Sequence, residues 1–266
     1  MSLSLLDVGV VRPTLLARAN PVAKLVVATV IALVLLVTVD PVTAGTALGL
    51  ELVVLPWCGL SLRALGRRLA LVLVGAVPTA VVTAWLGPDG GALVLGAGPL
   101  TVTTGSLGSA AAIGLRILAV AVPGVVLMAT TDPTDLGDAL AQVLHLPPRF
   151  VLAAVAAVRL LEVLAQEWSQ LGLARRARGL GDDGVLGRVR QGAGQVFALL
   201  VLAVRRATVL ATAMEARGFG ASTRRTWARP SRMRPGDWAV VLGGTLVAAA
   251  ATAAGMAAGT WTLVLR

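Results

Sequence analysis

The residues best equipped for recognition chemistry in this chain are two arginines, Arg178 and Arg217, each set between an alanine and a glycine. The first stretch reads Ala177-Arg178-Gly179-Leu180-Gly181 and the second Ala216-Arg217-Gly218-Phe219-Gly220, thirty-nine residues later. A guanidinium presents planar, forked donors that match a carboxylate through two parallel hydrogen bonds. Each stretch closes a long helix-compatible run. Arginine before glycine is a sound helix ending in itself, because glycine takes the left-handed cap conformation and a cation suits the negative end of the helix dipole. Capping calls for the glycine, however, and not for the preceding alanine or for arginine in particular. Two copies of one pattern therefore point to a second use. Small neighbours let a helix tip enter a groove on a partner, where the arginine meets an acidic group.

Little else is equipped for chemistry. The single cysteine and single histidine, Cys58 and His145, build neither a disulfide nor a Cys/His metal cage. No G-x-x-x-x-G-K-[ST] phosphate loop occurs, so the chain is not expected to bind or hydrolyse ATP. No cluster of acid, base and nucleophile suggests an enzyme, and no cofactor is expected. Two charges, Glu51 and Arg116, fall inside apolar runs. Counted from the ends of their spans they lie at similar depth, and an isolated charge there costs at least about 2.5–3.5 kcal/mol. They are expected to pair or to share a polar contact, either as a clamp between helices or as a substrate site.

The elements that must position these groups are mostly apolar. Hydrophobic residues make up 57% of the 266 and charged residues 14%. Five runs, 22–39, 42–60, 69–86, 107–129 and 238–264, approach the roughly 20 residues that cross a bilayer core. Between the fourth and fifth lies a region of another kind. It opens with Asp132-Pro133-Thr134-Asp135, an N-cap followed by proline at the first helical position. Leu136, Ala139, Leu140, Val143 and Leu144 then form one apolar stripe, which stops at Leu146-Pro147-Pro148. Longer amphipathic helices are expected over 149–178 and 185–217. The apolar part of the second, Val196 to Val204, is nine residues long before Arg205-Arg206, too short to cross. The expected fold is an all-α integral membrane protein with about five transmembrane helices and a cytoplasmic coupling domain of amphipathic helices. Its parts are a membrane domain over 1–131 with four spans, the coupling domain over 132–236, and a final span within 237–266.

The basic residues set the orientation. Of 23 lysines and arginines, 21 lie before or at the start of the first span, separate the second from the third, or lie between Pro133 and Asp237, all on one side of the proposed membrane. Retention of positive loops in the cytoplasm places the N-terminus inside and the C-terminus outside. Trp57, Trp85, Trp238 and Trp261 fall near span ends, where amphipathic rings favour the headgroup region. The net charge of +10 is thus a topology signal, and without basic–aromatic interleaving no nucleic-acid partner is expected. The N-terminal stretch lacks the basic start, compact apolar core and cleavage site of a signal peptide.

This combination resembles the T component, the transmembrane energy-coupling subunit, of energy-coupling-factor transporters, a branch of the ATP-binding-cassette importers. The resemblance is carried by Asn20-Pro21-Val22-Ala23-Lys24-Leu25 and by Thr130-Thr131-Asp132-Pro133-Thr134-Asp135-Leu136 with Ala139-Leu140. Gln166-Glu167 through Gly179 adds to it, and Arg205-Arg206-Ala207 through Phe219 is the most specific stretch. It implies that Arg178 and Arg217 dock onto two ATPase subunits, a homodimer or heterodimer, with Ala177, Gly179, Ala216 and Gly218 allowing close approach. It also implies a substrate-binding S component held by the membrane part, in the plasma membrane of a prokaryote. The chain would then be a non-catalytic subunit of an ATP-driven importer of a vitamin or a transition-metal ion. The family often carries a proline after the arginine early in the second helix of this region, 149–178, and another within the third, 185–217. Here Leu160-Leu161 follow Arg159, and 197–204 contains no proline. The competing reading is a stand-alone channel or secondary carrier. It would want polar groups or interrupted helices near the midplane, and Glu51 and Arg116 are all the sequence offers.

Overall fold

Five of the helices begin on a proline, whose fixed φ and missing N–H suit the first helical turn. The computed structural model describes residues 14, 16–38, 40–59, 62–87, 90–97, 100–179, 184–219 and 226–261. Leu180, Gly181 and Gly220 of the two signatures lie outside these residues, as does the end of the last expected span. The helices are α1 (Pro21–Val37), α2 (Pro41–Val54) with a 3-10 turn over Leu55–Cys58, α3 (Leu62–Leu86), α4 (Thr104–Thr130), α5 (Pro133–Gln142), α6 (Pro148–Ala177), α7 (Gly184–Ala216) and α8 (Pro235–Ala257). A two-stranded antiparallel hairpin, β1 (Leu93–Ala97) and β2 (Leu100–Thr103), joins α3 to α4. Apart from this hairpin, in the glycine- and threonine-rich link, the protein is an all-α integral membrane protein.

The chain divides into two compact units, Met1–Ala139 with Ser231–Arg266, and Leu140–Pro230. In the first unit α4 packs against α1, α2 and α3, and α8 packs against α1 and α2. Its main core joins Ile31, Leu35, Ala44, Ala47, Ala119, Ala248 and Ala251. Alanine dominates because lipid gives apolar side chains no reason to leave it, so helices associate by close backbone approach. Two glycines of α8 mark the tightest places. A Cβ at Gly244 would collide with Val27 of α1, standing 2.9 Å from its Cβ. One at Gly255 would collide with the Thr43 hydroxyl and stand 2.8 Å from Asp40 Oδ2.

Polar caps tie the helix ends together. The Asn20 side chain accepts from Val22 N at 2.9 Å to open α1, while its backbone N–H donates to Asp237 Oδ1 at 2.7 Å, at the start of α8. Asp40 opens α2 by accepting from Thr43 N at 2.8 Å, and Thr260, just past α8, donates to the same carboxylate oxygen at 3.4 Å. The starts of α1 and α8 therefore share one side of the unit, and the start of α2 shares the other with the end of α8. A Thr103–Ser106 capping box opens α4.

Length and composition single out five segments able to cross a membrane: Pro41–Cys58, Leu65–Leu86, Thr104–Thr130, Gly192–Ala216 and Pro235–Ala257. Two differ from the sequence expectation. The first helix, α1, is a shorter apolar helix of 17 residues. The stretch within α7 corrects the reading of a nine-residue apolar part, because Ala207 to Ala213 resumes the apolar composition beyond Arg205-Arg206. The helix α5 is also shorter than its apolar stripe. It ends at Gln142, and His145 then takes a left-handed conformation at φ 54° as Leu146 N–H returns to Leu140 O at 3.2 Å.

The second unit is built on α6, 30 residues long, and α7, 33 residues long, which pack against each other. Arg206 of α7 forms an ion pair with Glu167 of α6. Large apolar side chains stay exposed on both helices, among them Phe150 and Leu161 on α6, and Phe197, Leu200 and Val204 on α7.

Gly244→Ala is expected to lower stability by about 1–3 kcal/mol through overpacking against Val27. Adding Val27→Ala removes the collision, so the double variant should melt above Gly244→Ala alone in detergent-solubilised thermal unfolding.

Candidate functional site

Both signatures end their helices on a glycine in the same left-handed conformation. At the end of α6, Arg178 N–H donates to Arg175 O at 3.1 Å, and Gly179 turns the chain at φ 73°. At the end of α7, Gly218 turns it at the same φ of 73°. Gly218 N–H donates to Glu215 O and Phe219 N–H to Met214 O, both at 2.9 Å. These crossed bonds make a Schellman ending, with Arg217 as the capping residue and Gly218 as the left-handed one. A Cβ at Gly179 or Gly218 would meet nothing within 4 Å. The glycines are thus required by backbone conformation, which costs an L side chain roughly 1–2 kcal/mol, and not by lack of room.

All six signature residues, Ala177, Arg178, Gly179, Ala216, Arg217 and Gly218, are exposed. Among the described residues neither Arg178 nor Arg217 engages its guanidinium in a hydrogen bond or ion pair. Each tip therefore presents a forked cation beside two small residues, stopped at one φ. That arrangement suits recognition of a carboxylate in a groove and offers no bond-making chemistry.

The other expected site, Glu51 with Arg116, is not brought together. Arg116 Nη2 donates to the Leu36 carbonyl at 2.6 Å, at the end of α1. Glu51 is buried, and neither of its carboxylate oxygens has a hydrogen-bond partner among the described residues. Equal counts from the helix starts do not give equal depth here. Gly45 of α2 faces Leu115 of α4, 3.7 Å from where its Cβ would be, so Arg116 is level with the second turn of α2. Glu51 lies six residues further along, about 9 Å at 1.5 Å per residue.

A different basic residue completes the pattern. Lys24, near the start of α1, donates from Nζ to Thr130 O at 3.1 Å and Thr130 Oγ1 at 3.0 Å, at the end of α4, and to Ala17 O at 3.0 Å. Each of α1 and α4 thus carries the cation that meets the carbonyl end of the other. The proline-to-lysine motif that holds Lys24 was visible in the sequence, but its acceptor lies 106 residues away. The pair Glu167–Arg206 was likewise out of reach, its members being thirty-nine residues apart.

The fold and these tips define a class: a polytopic helical membrane protein bearing two exposed arginine tips of one design. The profile of the CbiQ family, described as a cobalt transport protein, matches residues 13–227, and the chain belongs to that family. It is 30% identical over 148 residues to the energy-coupling factor transporter transmembrane protein EcfT of Limosilactobacillus fermentum, covering 50% of this chain and 55% of the relative. With EcfT 1 of Listeria monocytogenes it shares 28% identity over 187 residues, 65% of this chain and 70% of the relative. With EcfT of Heliobacterium modesticaldum it shares 30% over 154 residues, 54% of this chain and 58% of the relative. The chain therefore spans a little over half the length of the first of these relatives.

Gly218→Ala is expected to open the end of α7, and Gly218→Asn to do so less, since asparagine tolerates the left-handed region. Amide exchange at Phe219 should accelerate roughly tenfold for alanine, as about 1.4 kcal/mol implies, and by a smaller factor for asparagine.

Proposed function

We propose that this chain is the transmembrane coupling subunit of an energy-coupling-factor importer. It links two cytoplasmic ATPase subunits to a membrane-embedded S component that binds a vitamin or a transition-metal ion. One observation carries the reading: two helix ends with the same residues, the same glycine φ and guanidinium groups unengaged among the described residues. A protein that needed only to end two helices would not need arginine twice. The names of the EcfT relatives agree with it.

In this reading, ATP closes the ATPase pair and shifts its two grooves. The tips follow, because a forked guanidinium bound to a carboxylate fixes direction as well as distance. The helices α6 and α7 carry the motion, being about 45 and 50 Å long at 1.5 Å per residue. The S component then reorients between outward loading and inward release. The exposed apolar side chains of α7, including Phe197, Leu200 and Val204, offer that component a lipid-like surface. Basic residues cluster in the sequence around these tips, which supports a cytoplasmic position for them in a prokaryotic cell. A stand-alone channel is the poorer reading, since Arg116 is committed to α1 and stands apart from the buried Glu51.

Arg178→Ala and Arg217→Ala should each reduce recovery of the ATPases in co-purification several-fold. Together they should reduce it by at least about tenfold, the scale of 1.4 kcal/mol or more for a buried anchoring arginine. Full assembly and transport by the double variant would remove the docking role.

A further inference from the structure

The ion pair between Glu167 and Arg206 occupies a special place relative to the tips. Its members are thirty-nine residues apart, the same interval that separates Arg178 from Arg217. Arg178 follows Glu167 by eleven residues, and Arg217 follows Arg206 by the same eleven. Each tip therefore lies about 16 Å beyond the pair along its own helix, at 1.5 Å per residue. A second contact gives the sense of the helices. The guanidinium of Arg175, beyond Glu167 on α6, lies over Gly194, which precedes Arg206 on α7; a Cβ there would stand 3.3 Å from Arg175 Nη2. Moving forward along α6 is thus moving backward along α7. The helices run antiparallel through the ion pair, and the two equal arms point away from each other.

Arms of equal length and opposite sense about one point are what two sites related by a two-fold axis would require. Two-fold pairs are the commonest protein assemblies, and their two equivalent sites lie at equal distances from the dyad. We propose that Glu167–Arg206 is the pin that sets both arginine tips at equal reach for a two-fold-related partner pair and makes the two arms move as one lever. The proposal rests on the docking reading above and names what that reading leaves open, namely how two separate tips are kept in register.

The local chemistry suits a pin. The Glu167 side chain is 18% exposed and that of Arg206 36%, so the pair is partly withdrawn from water. The second carboxylate oxygen of Glu167 is buried with no partner among the described residues. Arg206 is therefore the charge that meets a half-buried carboxylate at this crossing, and its loss leaves that carboxylate without its ion-pair partner.

The test uses the full chain assembled with its two ATPases in lipid nanodiscs. Spin labels at Ala174→Cys and Ala213→Cys, exposed sites seven residues beyond each member of the pair, report the distance between the arms in a Cys58→Ser background. The intact pair should give one narrow distance distribution that shifts when a non-hydrolysable ATP analogue is added. Glu167→Gln and Arg206→Gln should each broaden it and cut the nucleotide-dependent shift at least twofold. The charge-reversed double variant Glu167→Arg/Arg206→Glu should restore both. Narrow distributions with an undiminished shift in the single variants would overturn the pin and leave docking intact. Loss of the nucleotide shift in the parent chain would instead strike the docking reading. Should the single variants not accumulate, the charge-reversed chain decides: a narrow, shifting distribution supports the pin, and a broad or static one overturns it.

Discussion

A helix that ends inside a membrane unit leaves carbonyls with no intrahelical partner and no water to replace it, and the membrane unit is arranged around meeting that demand. The antiparallel helices α1 and α4 meet it for each other. Lys24 at the start of α1 reaches the terminal carbonyl of α4, and Arg116 reaches the carbonyl end of α1. Each contact places a cation at the negative end of a helix dipole, where it is favoured by both charge and hydrogen bonding. The arrangement also gives two cations carbonyl acceptors without pairing them to acids. With α1 held against α4 at both of its ends, α2 and α3 pack on α4, and α8 closes against α1 and α2.

The tips of the second unit follow the opposite logic. Both turn on a left-handed glycine, and at α7 the carbonyl end is closed by backbone bonds from Gly218 and Phe219. Closing the ends this way releases the arginines from capping duty. Among the described residues neither guanidinium caps a helix or is paired, so two are available for recognition.

Much of this was legible in the sequence because prolines, glycines and N-cap residues act locally. Pro148 and Gly179 bracket α6 almost where the pattern places it, and Gly218 ends α7. What escaped involves distance in sequence or offset in depth. Glu51 and Arg116 were matched by counting from helix starts, yet α4 begins well beyond the level at which α2 begins. Lys24 and Glu167 have partners that no periodicity reveals. The hairpin of β1 and β2 was hidden in a glycine- and threonine-rich stretch, where register depends on pairing more than on composition. Arg205-Arg206 interrupts the apolar run of α7 for the eye, although the composition recovers immediately afterwards.

The glycines of α8 carry a consequence for how the protein is made. Gly244 and Gly255 fit α8 against Val27 and Thr43, residues synthesised some two hundred positions earlier. The whole of the second unit intervenes, so it leaves the ribosome while the seam along α1 and α2 is still open. Contacts of such high sequence separation form late and slowly. Until they form, that seam exposes the alanine surfaces that α8 will cover, and any other small-residue helix in the bilayer competes for them. Biogenesis of the membrane unit is therefore governed by the arrival of its final helix, a step at which an insertase or a neighbouring subunit has time to intervene.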